Sequence, residues 1–318
     1  MTLVRWGFLG AGFVATRALA PALASAPHGD LVAVAARDPG RARTVAPTAR
    51  IHAGYDALLA DNEVDAVYIS LTNEAHLPWA ARALTAGKHV LCEKPLGLSA
   101  PEVAELTSIA QRADRLLVEA TWNRWHPRTA RAVELLRSGA LGRPTAVEAA
   151  FTFGDVPPDN YRWDPTRGGG ALYDVGPYVV GAALWALDGP LGAITASTVV
   201  SSSGVDAETV ARLEIGGGVA DLRTSIDASE YQRLVITTER GRIEFAELAF
   251  TNWHQQSSLV IDVDGTTSTE MFEPCDAYAL MVDSVSRRIA GDNDAWTLPL
   301  SESLRVAATM DAVRAACA

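Results

Sequence analysis

Residues 3 to about 120 alternate short, β-branched apolar runs with amphipathic stretches, and this alternation constrains the fold more than any other feature. The runs at 4–9, 31–36, 66–71, 89–92 and 116–119 are predominantly apolar rather than alternating in polarity. Such strands are buried on both faces, which requires a parallel sheet with helices packed on either side. The stretches at 15–25, 55–60, 77–86 and 100–112 supply those helices. The expected first domain, residues 1–120, is a doubly wound parallel α/β sheet.

After about residue 120 the rhythm changes. A helix at 127–138 leads to a strand at 145–153, then to a loop rich in Pro, Asp and Arg, then to an apolar helix ending at Leu187. Strand-like segments follow at 195–202, 208–215, 219–227, 232–238, 242–247 and 259–263, separated by Gly-rich turns. Helices at 277–290 and 301–316 close the chain. The pattern predicts an α+β second domain, residues 121–318, built on an open and mainly antiparallel sheet.

Composition narrows the partners. The chain has 318 residues and is 48% hydrophobic, enough to bury two ordinary cores. A net charge of −11 argues against nucleic acid or an anionic membrane as partner, since both need a basic surface. No apolar run approaches the ~20 residues that span a bilayer. The immediate entry into the 4–9 run is read as leaving no room for a signal peptide. Cys92, Cys275 and Cys317 are odd in number and widely spaced. They read as reduced thiols of a cytoplasmic protein, with no metal site implied.

Gly10-x-Gly12-x-x-Ala15 lies between the first strand and the first helix, the context in which this spacing holds a dinucleotide. Gly10 allows a sharp turn, Gly12 lets backbone amides approach a diphosphate, and Ala15 lets helix and strand pack closely. The helix start then offers oriented N–H groups to phosphate. Candidate cofactor contacts are Gly10, Gly12, Phe13 and Val14; a tight βα turn without ligand would use the same glycines. Arg37, at the end of the second strand, suits the 2′-phosphate of NADP, whereas Asp38 beside it suits the free ribose hydroxyl of NAD. NADP is favoured, with NAD the alternative.

Lys94 follows the buried run Val90-Leu91 and precedes Pro95, at the carboxyl edge where open α/β sheets bind ligands. A lysine there can donate to an oxygen on a reacting carbon; alone, it would be a surface residue capping a strand. Asp174 and Tyr178 are four residues apart and share one helix face. Singly they would read as a helix N-cap and a core tyrosine. Gly168-Gly169-Gly170 permits close backbone approach, and Pro177 fits the first helical turn or marks a kink.

At these residues the chain resembles the glucose–fructose oxidoreductase / inositol dehydrogenase (Gfo/Idh/MocA) family. The likeness runs through Gly10–Ala15, Leu71-Thr72-Asn73-x-x-His76, the segment from Ala86 to Pro95, and Gly168-Gly169-x-x-x-x-Asp174-x-Gly176-x-Tyr178. It implies a Rossmann domain joined to an open antiparallel α+β sheet domain. It further implies hydride transfer between NAD(P) and a hydroxyl carbon of a sugar, ketosugar or cyclic polyol. By that likeness Lys94 is the essential catalytic residue and Asp174 positions the substrate. Leu71, Asn73, His76 and Glu93 would line nicotinamide and ribose, and Arg162 and Trp163 lie on a segment resembling the family's substrate-contacting loop. A homodimer or homotetramer through the second sheet is also implied.

Many relatives have histidine where Tyr178 stands. Tyrosine, with a reference pKa of ~10, must be lowered to act as a base but donates a proton readily in the reductive direction. Tyr178 and the pattern from Glu119 to Trp125 are similar to the dihydrodiol dehydrogenase branch. The alternative activity is therefore oxidation of a non-sugar ring diol. A regulator that binds NADP without turnover is the other alternative, and it would have no use for Lys94, Asp174 and Tyr178 together.

Overall fold

The computed structural model describes residues 3–317. The chain divides into two compact units. One holds the chain up to Trp122 together with Asp276–Leu304; the other holds Asn123–Cys275 and the residues from Arg305 onward.

In the first unit, β1 (Val4–Leu9), β2 (Gly29–Ala35), β3 (Arg50–His52), β4 (Ala66–Ile69), β5 (His89–Cys92) and β6 (Leu117–Glu119) form one sheet in the order β3-β2-β1-β4-β5-β6. Every pairing is parallel. The connections carry α1 (Ala20–Ser25), α2 (Pro39–Val45), α3 (Tyr55–Leu59), α4 (His76–Thr85) and α5 (Ala100–Ala113). Central strand β4 is buried at all four positions, as the unbroken apolar run requires. Trp6, Phe8 and Tyr68 have no exposed surface, and the Trp6 indole N–H donates to Ser286 Oγ at 3.0 Å. Strand β3 lay outside the sequence expectation. It has only three residues, begins with an exposed arginine, and pairs with β2 alone at the sheet edge.

In the second unit, α6 (Pro127–Arg137), β7 (Pro144–Thr152) and α7 (Ala171–Leu187) precede seven further strands. These are β8 (Leu191–Val200), β9 (Asp206–Ile215), β10 (Gly218–Ser225), β11 (Tyr231–Thr238), β12 (Gly241–Phe245), β13 (Ser257–Val263) and β14 (Thr266–Phe272). The eight strands run β14-β13-β12-β11-β7-β10-β9-β8. All pairs are antiparallel except β7 with β10, because β7 enters the middle of the sheet from a distant part of the chain. Helix α7 is apolar on nearly all sides and packs with one sheet face into a core that includes Val147, Phe151, Val179, Leu213 and Leu222. Strand β14 also escaped the sequence pattern; its Thr, Ser and Glu residues are mostly exposed on an edge strand. Helices α8 (Ala277–Ile289) and α9 (Leu300–Ala316) complete the described elements. Among the described residues no helix is long and apolar enough to cross a membrane.

His126 and His89 are held neutral by the fold. His126 caps α6: its Nδ1 accepts the Arg128 N–H at 3.1 Å, and the ring is 3% exposed. His89 Nδ1 likewise accepts the Leu116 N–H at 2.9 Å. Burial first, and a neighbouring arginine second (Arg128 and Arg115 respectively), push each ring down to about 4. Because the folded value lies below the unfolded one of ~6.5, this stability is fully present above pH ~6.5 and is lost as pH falls toward 4. For His126 the loss amounts to about 2 kcal/mol by pH 4.5. Replacing it with asparagine keeps an acceptor for the cap and removes the titration. Urea unfolding at pH 7 and pH 4.5 should show His126→Asn losing less stability than wild type; equal losses would show that His126 does not titrate on unfolding.

Candidate functional site

The glycine loop follows β1 directly. Gly10 has φ +103°, and a Cβ there would fall 2.3 Å from the Ser70 carbonyl oxygen, so the fold itself demands glycine. Gly12 is different. Its backbone is ordinary and a Cβ would meet nothing closer than 3.5 Å, so packing within the chain does not require it. A diphosphate lying against backbone amides would supply such a demand from outside the chain. The Gly12 carbonyl accepts from Thr16 N and Oγ1 at 3.1 and 2.9 Å, fixing the loop to a π-helical turn, Ala15–Leu19, that leads into α1. Phe13 is 76% exposed and Val14 half-buried.

Beyond β2 the two rival residues separate. Asp38 is the N-cap of α2, its Oδ1 accepting from Gly40 N at 2.7 Å and Arg41 N at 3.4 Å. The carboxylate is thus engaged on its own helix. Arg37 is exposed and near half-buried Tyr55, whose phenol burial raises and the Arg37 charge lowers, for a net upward shift. A guanidinium in that setting suits a 2′-phosphate better than the tied carboxylate suits a ribose hydroxyl.

Both ends of β5 carry buried polar groups. Lys88 donates through Nζ to the Asp61 and Val64 carbonyls at 2.7 and 2.8 Å, so this member of the motif secures a loop. Glu93 is 8% exposed and accepts the Tyr68 hydroxyl at 2.7 Å; burial pushes its carboxyl up and Lys94 beside it pulls it back. Half-buried Lys94 is joined to Pro95 by a cis peptide bond. The Pro95 carbonyl lies 2.7 Å from His76 Nδ1, and Leu96 N donates to Glu119 Oε1 at 2.9 Å. His76 is fully buried, and burial above all keeps its ring neutral. It therefore has one proton for two carbonyls; the shorter contact assigns it to Nδ1 and Pro95, leaving Nε2 at 3.2 Å from Leu71 O. Leu71 is half-buried and Asn73 4% exposed.

The second unit assembles its own polar centre. Arg162 grips Asp174 with two hydrogen bonds, Nε to Oδ2 at 2.6 Å and Nη2 to Oδ1 at 3.2 Å. Burial pulls the guanidinium pKa down, but the Asp174 charge overrides this and raises it above the usual arginine value. Asp174 is 3% exposed, so the paired cation is what makes its charge tolerable. Arg162 also lies over the Tyr161 and Phe153 rings, 5.1 and 5.7 Å from their centroids. Trp163, half-buried, donates its indole N–H to Val156 O at 3.2 Å. Tyr178 is 6% exposed, one turn beyond Asp174, and packs against Phe151 and Phe250 at centroid distances of 5.5 and 6.1 Å.

Helix α7 begins at Ala171 with Gly170 as its N-cap, so Asp174 lies in the first turn and Pro177 inside the helix, beyond the first turn. Trp122, within the Glu119–Trp125 pattern, is buried and stacks on Tyr278 at a centroid distance of 4.6 Å. Sequence reasoning gave Glu119 and Tyr68 no role in the site; a charged residue ending a buried strand was the available signal for Glu119, whereas Glu93 entered only through the family resemblance.

The family described as "Oxidoreductase family, NAD-binding Rossmann fold" has a model matching residues 4–121, and the GFO/IDH/MocA C-terminal domain matches residues 129–244. The chain is 36% identical over 316 residues to D-xylose 1-dehydrogenase (NADP(+)) 2 of Haloferax volcanii, covering 97% of this chain and 95% of the relative. It is 34% identical over 253 residues to trans-1,2-dihydrobenzene-1,2-diol dehydrogenase of Mus musculus, covering 77% and 75% of the two chains. Among solved structures it is similar to a 3-ketoreductase from Actinomadura kijaniata in complex with NADP and TDP-benzene. There the TM-score is 0.91 at 28% identity, over 99% of this chain and 98% of the other.

Proposed function

The chain belongs to the GFO/IDH/MocA oxidoreductase family, and from that premise we propose that it transfers a hydride between NADP and a secondary alcohol or ketone of a sugar, ketosugar or cyclic polyol. The observation that carries the cofactor choice is the division of labour after β2: Asp38 is spent on capping α2 while Arg37 stays exposed. The residues present fit the dinucleotide. Gly10, Gly12, Phe13 and Val14 would hold the diphosphate, Arg37 the 2′-phosphate, and Leu71, Asn73 and Glu93 the nicotinamide end. When bound, the nicotinamide supplies or takes up the hydride.

The chain's own residues then have these tasks. Lys94 donates a hydrogen bond to the reacting oxygen, and its ammonium stabilises negative charge building there. Tyr178 gives that oxygen a proton in reduction and removes it in oxidation. Asp174, kept anionic by Arg162, orients the substrate; with both oxygens engaged by a guanidinium it is poorly suited to proton transfer. Arg162 and Trp163 flank the sugar, and His76 acts indirectly, by bracing the Pro95 carbonyl.

Self-association through the eight-stranded sheet, as a homodimer or homotetramer, is supported by the character of its uncovered face. Val199, Val200 and Val210 are 62%, 59% and 45% exposed. Around them lie the ion pairs Arg212–Asp221 and Arg223–Glu208, at 2.9 and 2.8 Å. A cytoplasmic location is supported by three free cysteines, Cys92 among them buried.

The function is tested by following NADPH oxidation and NADP+ reduction across aldoses including D-xylose, ketosugars, cyclic polyols and trans-dihydrobenzenediol. Turnover of a sugar or polyol is expected. Turnover of the diol alone would replace the substrate class, and cofactor binding with no turnover of any compound would reduce the protein to a sensor. Lys94→Ala should lower kcat by at least about a hundredfold with NADPH affinity within about twofold; an unchanged kcat removes Lys94 from the mechanism. Arg37→Ala should weaken NADPH by about tenfold or more and NADH by less than about threefold, and equal losses would show that Arg37 does not meet the 2′-phosphate. Sedimentation at micromolar concentration should give a multiple of the chain mass of 33.7 kDa; a monomer would contradict the association.

A further inference from the structure

Resting on the assignment of Asp174 and Tyr178 to the reaction, we infer that Asp206, the first residue of β9, is a positioning residue that holds the start of α7 in its working place. Helix α7 cannot cap itself, because its N-cap is Gly170, with φ 116° and no side chain. One of its orphan donors, the Leu172 N–H, is taken instead by Asp206 Oδ2 at 2.7 Å, from a strand 34 residues further along the chain. The same oxygen accepts the Thr209 hydroxyl at 3.2 Å, which fixes the carboxylate from behind. Glycine and carboxylate fit as a pair: a Cβ on residue 170 would fall 2.0 Å from Asp206 Oδ1. A carboxylate at a helix N-terminus also meets the positive end of the helix dipole.

The first turn of α7 depends on this contact more than an ordinary helix start would. Pro177 lies inside the helix and has no N–H to donate to the Tyr173 carbonyl, so the ladder loses a bond between Asp174 and Tyr178. Gly176 precedes it and adds backbone freedom. The cap segment also anchors the loop that grips Asp174. Gly170 N donates to Arg162 O at 2.9 Å, and a Cβ on Gly169 would fall 2.5 Å from that oxygen. Asp206 therefore fixes one end of a short chain of contacts, through Leu172 and Gly170 to the Arg162–Asp174 pair, without belonging to the pair itself.

The test is steady-state kinetics of Asp206→Ala and Asp206→Asn beside wild type, with NADP(H) and the panel compound that wild type turns over best. A displaced carboxylate misaligns reacting groups, so Asp206→Ala should lower kcat by about tenfold or more. The KM for NADPH should stay within about twofold, since the glycine loop and Arg37 are untouched. Asparagine keeps an oxygen for the Leu172 N–H, and Asp206→Asn should recover kcat to within about threefold of wild type. A wild-type kcat in Asp206→Ala, or an Asp206→Asn as slow as Asp206→Ala, overturns the positioning role alone. A wild type inactive on every compound overturns the proposed function, and this inference with it. Should Asp206→Ala not fold, Asp206→Glu decides: it keeps the charge but pushes the carboxylate a methylene further, and an unchanged kcat there overturns the role.

Discussion

The turn that leaves β5 is clamped from two sides by buried polar side chains, and the chemistry assigned to the first unit depends on that clamp. His76 meets the Pro95 carbonyl, and Glu119 takes the Leu96 N–H. Neither contact is cheap to assemble, since an imidazole and a carboxylate are both removed from water. Each is stable only because a backbone partner replaces the lost solvent. Lys94 is therefore presented by main chain whose neighbouring hydrogen bonds are already made. A long, flexible side chain on a rigid base is a sound way to hold a charge near a reacting oxygen.

The second unit solves the same problem differently. Asp174 stands in the first turn of α7, and its charge is balanced by Arg162 from a loop wrapped tightly against Gly169 and Gly170. The three consecutive glycines serve this wrapping. Two of them lie so close to neighbouring oxygens that any side chain would collide. The run that reads in sequence as freedom is, in the folded protein, closely packed at Gly169 and Gly170.

Much of this was legible in the residues. Predominantly apolar runs marked β1, β2, β4, β5 and β6, and the spacing of Asp174 and Tyr178 put them on one helix. The elements that escaped carry no apolar run: β3 is Arg-Ile-His at a sheet edge, β14 is a Thr-rich edge strand, and α2 is the short helix Pro-Gly-Arg-Ala-Arg-Thr-Val. Asp38-Pro39 has the signature of a helix start, and in the folded protein Asp38 Oδ1 caps α2. Lys88 and His76 sit in the motifs, yet their partners are carbonyls brought close only by folding, which no spacing reveals. Asp206 is the extreme case, a cap supplied from a distant strand.

The central claim is a hydride moving between NADP and a carbon of a sugar-like ring, and it is tested most directly by following the hydrogen itself. NADPH deuterated at the nicotinamide C4, incubated with the protein and the keto compound it reduces, should yield an alcohol carrying one deuterium on the new carbinol carbon. An alcohol formed without deuterium from either face of the labelled cofactor would contradict direct transfer and, with it, the account given for Lys94 and Tyr178.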